Sequence, residues 1–163
     1  MTTSKRQKGF SLIELLIVVA IILIIAAIAI PNLLRSRIAA NEASAVGSVR
    51  TINTAQVTYS SSYPDCGFTT LANLGGSGGN TTGAGLIDSV LAGGQKSGYS
   101  FLATPTGGNG TCGGGTATPN STYTVVGQPQ SAQTGQRYFF SDQSGVIRYN
   151  ISTAATATDA PLQ

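Results

Sequence analysis

The feature that most constrains this chain is a long apolar run with one acidic residue near its start. After Glu14, sixteen consecutive Leu, Ile, Val and Ala residues continue the run to Ile30. As a helix rising 1.5 Å per residue, residues 10–30 would be about 31 Å long, enough to cross a bilayer core of roughly 30 Å. A carboxylate in hydrocarbon costs about 2–3 kcal/mol. The sequence therefore predicts a membrane-spanning helix whose Glu14 has a partner or a function.

The residues before the run predict its orientation and a processing site. Three basic residues and no acidic one precede Gly9. By the positive-inside rule, this end stays in the cytoplasm and everything after Ile30 is exported. A cut after Gly9 would remove the basic leader, residues 1–9, and retain the membrane helix, unlike a conventional signal-peptide cut after the apolar region. We therefore expect a cleaved leader and a free amino terminus on Phe10.

The segment Lys8-Gly9-Phe10-Ser11-Leu12-Ile13-Glu14 resembles the processing signal of type IV pilins and type II secretion pseudopilins. The similarity continues through Pro31 into the following helix. The resemblance implies a membrane peptidase that cuts after Gly9 and methylates the new amine on Phe10. It also implies that Glu14 and Pro31 take part in assembly, Glu14 as the acidic fifth residue of the mature chain and Pro31 as a helix-loosening proline.

Electrostatics offers a reason for the acidic residue. After cleavage, Phe10 would carry a positive amine among apolar groups, and two opposite unit charges 4 Å apart attract by about 4 kcal/mol at an effective dielectric constant of 20. Glu14 could pair with the amine of its own chain, four residues away, or with that of an incoming subunit. The hypothesis is that the second pairing determines the axial register of a filament.

Two simpler interpretations remain open for these residues. The run could be a plain signal anchor in which Glu14 reaches toward the interface, which would require no processing at Gly9. Pro31 could end the membrane helix rather than loosen it, because proline removes one backbone donor and clashes one turn back.

Beyond Pro31, residues 31–62 are predicted to continue the helix to about Ser62. Mostly three- and four-residue steps place one largely apolar stripe along it. The stripe consists of Leu34, Ile38, Ala45, Val49, Ile52, Gln56 and Tyr59. Arg35, Arg37, Asn41, Glu42 and Arg50 fall on other faces. The two segments together would form a helix of about fifty residues. Its first half, apolar all round, would be covered first by lipid and then by identical helices.

Residues 63–163 are expected to form a loop-rich globular region with a C-terminal antiparallel sheet. The glycine runs at 75–79 and 113–115 lack the context of a nucleotide-binding loop and are interpreted as surface loops. A short helix is predicted over 86–91, stopped by two glycines. Strands are predicted over 99–103, 123–126, 137–141 and 146–149, with a tight turn at 142–145. The tail after Asn150 is expected to be mobile. The predicted fold class is α+β, with one long N-terminal helix packed on a small antiparallel sheet, and the resemblance implies that this architecture is pilin-like.

Cys66 and Cys112 are the only two cysteines, and both lie on the exported side. A disulfide between them would close a loop of about 45 residues and contribute roughly 4 kcal/mol. A redox or metal pair is the alternative, but the spacing is not that of a C-x-x-C motif and the chain has no histidine.

The composition argues against catalysis. Without histidine there is no ordinary triad, and Lys96 is the only lysine outside the leader. The acidic residues are scattered, so neither a carboxylate pair nor a metal site is predicted, and no cofactor is expected. Removal of the leader leaves six basic against six acidic residues, so nucleic-acid binding is not indicated.

Four Asn-x-Ser/Thr triplets, beginning at Asn80, Asn109, Asn120 and Asn150, leave glycosylation open.

The resemblance implies a non-enzymatic subunit of a bacterial type IV pilus. It would be inserted in the inner membrane as a precursor with a cytoplasmic leader, then assembled into an extracellular filament. The implied partners are other copies of the chain, the prepilin peptidase and methyltransferase, and an inner-membrane assembly platform with its ATPases. The first alternative is a type II secretion pseudopilin in a periplasm-spanning pseudopilus, and the second is a monomeric membrane-anchored binding domain.

Overall fold

The computed structural model describes residues 10–108, 112 and 118–162. The chain divides into two compact units, Met1–Ser36 and Arg37–Gln163. The predicted leader with Gly9, the triplet residue Asn109 and the glycine run at 113–115 lie outside the described residues.

Helix α1 spans Leu12–Ser62, and its 51 residues include Pro31. The expectation that the helix continues past Pro31 is confirmed, and the alternative that Pro31 ends it is wrong. The predicted end at Ser62 is also confirmed. Its physical cause is Pro64, whose ring disfavours the helical conformation at Tyr63.

The predicted stripe on α1 is buried in the second unit from Ala45 to Tyr59. Buried polar residues, Ser48 and Asn53, lie on the same side. Leu34, by contrast, is 42% exposed. The core of the second unit joins this helical face to the inward-facing residues of the sheet and of the loops before it. Its largest wholly buried side chains are Tyr59, Tyr99, Tyr123, Phe139, Ile52, Leu74, Leu91 and Gln56.

Within the described residues, five antiparallel strands form one sheet in the order β1-β2-β3-β4-β5. Their bounds are Gln95–Lys96, Tyr99–Thr106, Thr122–Pro129, Tyr138–Asp142 and Arg148–Asn150. The four predicted strands correspond to β2–β5, which confirms the α+β architecture, and the two-residue strand β1 is additional. Inward residues alternate with outward ones along β2 and β3, as expected for a sheet with one covered face.

The tight turn between β4 and β5 forms as predicted. The Gly145 N–H donates to the Asp142 carbonyl oxygen at 2.9 Å, and Gly145 has a φ of 72°. Only glycine adopts this left-handed conformation without a steric penalty. Strand β5 begins at Arg148, two residues later than expected.

The short helix predicted over 86–91 is displaced along the chain. Helix α3 spans Ser89–Ala92, because the Asp88 side chain accepts the Leu91 N–H at 3.0 Å and caps its start. Gly93 follows it, as the sequence indicates. Helix α2, Leu71–Leu74, is a further single turn that the sequence did not predict.

The expectation of a mobile tail after Asn150 is wrong, because the tail bonds back along β5. The Tyr149 N–H donates to the Ala160 carbonyl oxygen at 3.1 Å, and the Leu162 N–H donates to that of Ile147 at 2.7 Å. Asp159 adds side-chain bonds, accepting from Asn150 Nδ2 at 2.9 Å and from the Thr156 N–H at 2.6 Å. The tail therefore covers the outer edge of β5, which would otherwise present unpaired backbone groups.

Candidate processing and assembly site

The start of α1 places Glu14 over the first turn of the helix. Ser11 occupies the position before the helix, and Glu14 Oε2 accepts its backbone N–H at 2.9 Å. This is the acidic half of a capping box, and the carboxylate lies where the helix dipole favours negative charge. The partner predicted for Glu14 is thus, in the uncleaved chain, a backbone donor of its own N-terminus.

Phe10 lies directly before this cap and is 80% exposed. A cut after Gly9 would place the new amine on Phe10. The next residue, Ser11, already donates its backbone N–H to Glu14. Phe10 and Glu14 therefore share one turn.

The helix after Glu14 exposes apolar side chains on every face. The exposed fractions of the large apolar side chains between Glu14 and Pro31 run from 45% at Val19 to 65% at Ile28, and Ile30 is still 64% exposed. An 18-residue window of α1 has a mean hydropathy of 3.3, and none of it is buried within the chain. By length and composition this segment could cross a membrane. Such a surface must be covered by lipid or by other protein chains.

Pro31 lies within α1, just after the apolar segment. Because proline has no N–H, the carbonyl of Ala27 lacks its usual helical donor. At 1.5 Å per residue, Pro31 lies about 25 Å along the helix from Glu14. The two residues predicted for assembly are therefore separate features and do not form one site.

Cys66 and Cys112 form a disulfide with a Cα–Cα distance of 4.9 Å, which confirms the predicted bridge. Asn120, two residues before β3, binds the segment around Cys66 through hydrogen bonds that sequence inspection missed. Its N–H donates to the Cys66 carbonyl at 3.0 Å, its carbonyl accepts the Phe68 N–H at 3.0 Å, and its Nδ2 donates to the Phe68 carbonyl at 2.9 Å. No local pattern predicts these hydrogen bonds, because the partners of Asn120 lie more than fifty residues away.

In the second unit, structural tasks fall to Asp88, Asp159 and Glu42. The backbone N–H of Leu91, followed by the hydrogen bond from Lys96, lowers the pKa of Asp88 below its ordinary value. The backbone N–H of Thr156 is the main cause of a lowered pKa at Asp159. Glu42 accepts the Gln136 N–H at 2.9 Å and lies 3.5 Å from Arg137 Nε. Among the described residues, no three His, Cys, Asp or Glu side chains come together in a way that could hold a metal ion.

The segment that contains Glu14 and the apolar part of α1 matches a known sequence motif. Residues 4–30 match the model of the prokaryotic N-terminal methylation motif. The chain therefore carries this motif at the cap and apolar segment described above.

The similarity to particular proteins is confined to the N-terminal part. The chain is 63% identical over 38 residues to the "Type IV wide pilus major component PilA4" of Thermus thermophilus, which covers 23% of this chain and 29% of that protein. It is 46% identical over 54 residues to the "Type IV major pilin protein PilA" of Myxococcus xanthus, which covers 33% of this chain and 24% of that protein. The matches thus span under a third of either relative. No solved structure matches the chain. The resemblance to type IV pilins is confirmed for the N-terminal segment.

Proposed function

We propose that this chain is a structural subunit of a type IV pilus filament, assembled through its N-terminal helix. The observation that carries the proposal is the apolar segment of α1, exposed on every face and preceded by a capped Glu14 inside a methylation motif. The relatives of this segment are named as major pilus components, which supports the same assignment.

In this proposal the chain has four parts. Residues 1–9 are a leader that a prepilin peptidase removes after Gly9, with methylation of Phe10. Residues 10–30 span the inner membrane in the precursor and pack among identical helices in the filament. Residues 31–62 continue the helix, and residues 63–163 form the exported region with the disulfide. The role is mechanical, and an assembly platform with its ATPases would supply the energy.

Glu14 has two tasks in the proposed mechanism. As a helix cap it holds the start of α1 through the Ser11 N–H. As a charge it attracts the amine of an incoming subunit in surroundings where lipid excludes water, so the interaction is stronger than on an exposed surface. Pairing with the neighbour would align one subunit against the next along the filament axis.

The processing step is tested by intact mass and N-terminal sequencing of protein sheared from cells, compared with the membrane fraction. The expected result is a sheared species that begins at methylated Phe10. Processed protein confined to membranes would contradict a surface pilus. Unprocessed protein that begins at Met1 or Thr2, without a sheared pool, would contradict both processing and assembly.

The two tasks of Glu14 can be separated by substitution. Glu14→Gln retains a carbonyl oxygen that can accept the Ser11 N–H but removes the charge, whereas Glu14→Ala removes both. We expect each variant to be retained in membranes with filament yield reduced at least about tenfold, because loss of an attraction worth a few kcal/mol exceeds a factor of ten. Asp65→Asn, an exposed acid-to-amide change in the second unit, serves as the matched control. Normal filament yield from Glu14→Gln would refute the charge mechanism.

A further inference from the structure

Four Asn-x-Ser/Thr triplets lie on the side of the chain proposed to be exported, and the filament role uses none of them. Such triplets are acceptors for N-linked glycans in exported proteins, provided that the asparagine is accessible. Three of them begin at described residues, Asn80, Asn120 and Asn150. The structure distinguishes these three by the state of the amide nitrogen to which a sugar would be attached.

The amide nitrogens of Asn120 and Asn150 are engaged within the fold. Asn120 Nδ2 donates to the carbonyl of Phe68 at 2.9 Å, beside the disulfide. Asn150 Nδ2 donates to Asp159 Oδ1 at 2.9 Å and so helps hold the tail on β5. Both side chains are partly buried. A sugar on either nitrogen would leave one N–H for this contact and would have to fit beside the partly buried residues around it.

Asn80 is exposed, and its amide nitrogen has no hydrogen bond to any residue in the described part of the chain. Its amide oxygen instead accepts both the N–H and the hydroxyl of Thr82, each at 3.0 Å. The third residue of the triplet is therefore turned toward the asparagine side chain. This arrangement orients the amide, and among the described residues no acceptor occupies the nitrogen that would carry a sugar.

Two tyrosine hydroxyl groups at the end of α1 bind the loop that carries Asn80. The Tyr63 hydroxyl donates to the carbonyl of Gly79 at 2.8 Å, and the Tyr59 hydroxyl donates to that of Thr81 at 2.6 Å. Asn80 and Gly83 also exchange backbone hydrogen bonds, at 3.3 Å and 3.2 Å, in a narrow hairpin. The end of α1 thus presents the triplet at the surface.

A glycine two residues before Asn80 leaves room around its amide. A Cβ added at Gly78 would lie 2.7 Å from Asn80 Nδ2, closer than side-chain atoms normally approach. Glycine at this position therefore keeps the amide nitrogen clear of a neighbouring side chain.

We propose that Asn80 is an N-glycosylation site of this chain. The donor would be an oligosaccharide carried on a lipid diphosphate at the exported face of the membrane. Asn80 Nδ2 attacks the anomeric carbon, a C–N bond forms, and the bond from that carbon to the phosphate oxygen breaks. The lipid diphosphate leaves with the bonding electrons, and one amide proton passes to a base of the transferase. The proposal rests on the export of residues 63–163 in the proposed function.

The test is peptide mass analysis of processed protein isolated from its native cells, after reduction, alkylation and trypsin digestion. Cleavage after Arg50, Lys96, Arg137 and Arg148 places Asn80 on peptide 51–96, separate from the other three triplets. The expected result is a glycan mass on peptide 51–96, located at Asn80 by fragmentation. An unmodified Asn80 in protein that begins at Phe10 would overturn the glycosylation proposal and leave the filament proposal intact.

Three variants make the assignment specific to the triplet. Asn80→Gln and Thr82→Ala should each abolish the added mass, since one removes the acceptor and the other removes the hydroxyl. Thr81→Ala, which leaves the triplet intact, is the matched control and should retain it. Persistence of the mass in Asn80→Gln would show an O-linked glycan on the same peptide and overturn the assignment. Modification found only on another triplet would do the same.

Discussion

Gln56 connects α1 to the chain after the disulfide cysteine, and its replacement by methionine should strongly destabilise the second unit. Its side chain is 0% exposed, and Thr69 is 4% exposed. Gln56 Nε2 donates to the Thr69 carbonyl at 2.5 Å, and Gln56 Oε1 accepts the Thr69 N–H at 3.0 Å. The amide thus pairs with both backbone groups of one buried residue, as a neighbouring strand would.

The magnitude follows from the two groups that the substitution leaves behind. Methionine has a similar length and volume, so Gln56→Met creates little cavity. It removes the donor and the acceptor, and each buried backbone group of Thr69 loses that partner at a cost of about 1–3 kcal/mol. Burial of the apolar methionine side chain offsets part of the cost of the two unpaired Thr69 groups. We therefore expect a loss of about 2–5 kcal/mol in the free energy of unfolding.

The assay is urea unfolding of the full chain in detergent, followed by tyrosine fluorescence. With a slope of about 1–3 kcal/mol per molar urea, the midpoint should fall by about 1 M or more. Gln128→Met makes the same change at an exposed position of β3 and should alter the free energy by no more than about 0.5 kcal/mol. If Gln56→Met unfolds at the same urea concentration as Gln128→Met, the inferred cost of the unpaired Thr69 groups is wrong.

Three further predictions concern other parts of the second unit. Replacing both Cys66 and Cys112 by alanine should cost about 4 kcal/mol in urea unfolding, because the bridge joins positions 46 apart in the sequence, while the native near-ultraviolet dichroism persists. Asp159→Ala should release the tail and raise amide hydrogen exchange at residues 149 and 162 by about tenfold. Burial raises the pKa of Tyr123 to about 12 and raises that of Tyr99 further, so stability present below pH 10 should fall as pH rises from 10 toward 12. The phenolate absorbance of these two tyrosines should then increase in one cooperative step, at the pH at which the protein unfolds.

Each of these three predictions has an opposing outcome. A cysteine double variant that loses under about 1 kcal/mol would show that the Asn120 contacts alone fix the loop. Unchanged exchange in Asp159→Ala would mean that the backbone bonds of the tail hold it without the carboxylate. Gradual ionisation of all tyrosines near pH 10 in folded protein would contradict the burial of Tyr99 and Tyr123.

The local pattern of residues sufficed to predict the main elements of the fold. The run after Glu14 predicted an exposed apolar helix because its side chains are apolar on every face, and Pro64 accounts for the end of α1 near Ser62. Alternation at Tyr99, Phe101 and Ala103 predicted β2. These features depend on residues close together in the chain, so a single sequence displays them.

Tertiary structure decided the features that depend on distant partners. The tail looked mobile because its own residues offer little to bury, yet backbone pairing with β5 holds it, and such pairing requires no particular side chains. Likewise the triplets at Asn80, Asn120 and Asn150 look alike in sequence. Only the folded chain shows which of these three amide nitrogens lacks an acceptor among the described residues, because the acceptors at Phe68 and Asp159 come from elsewhere in the chain.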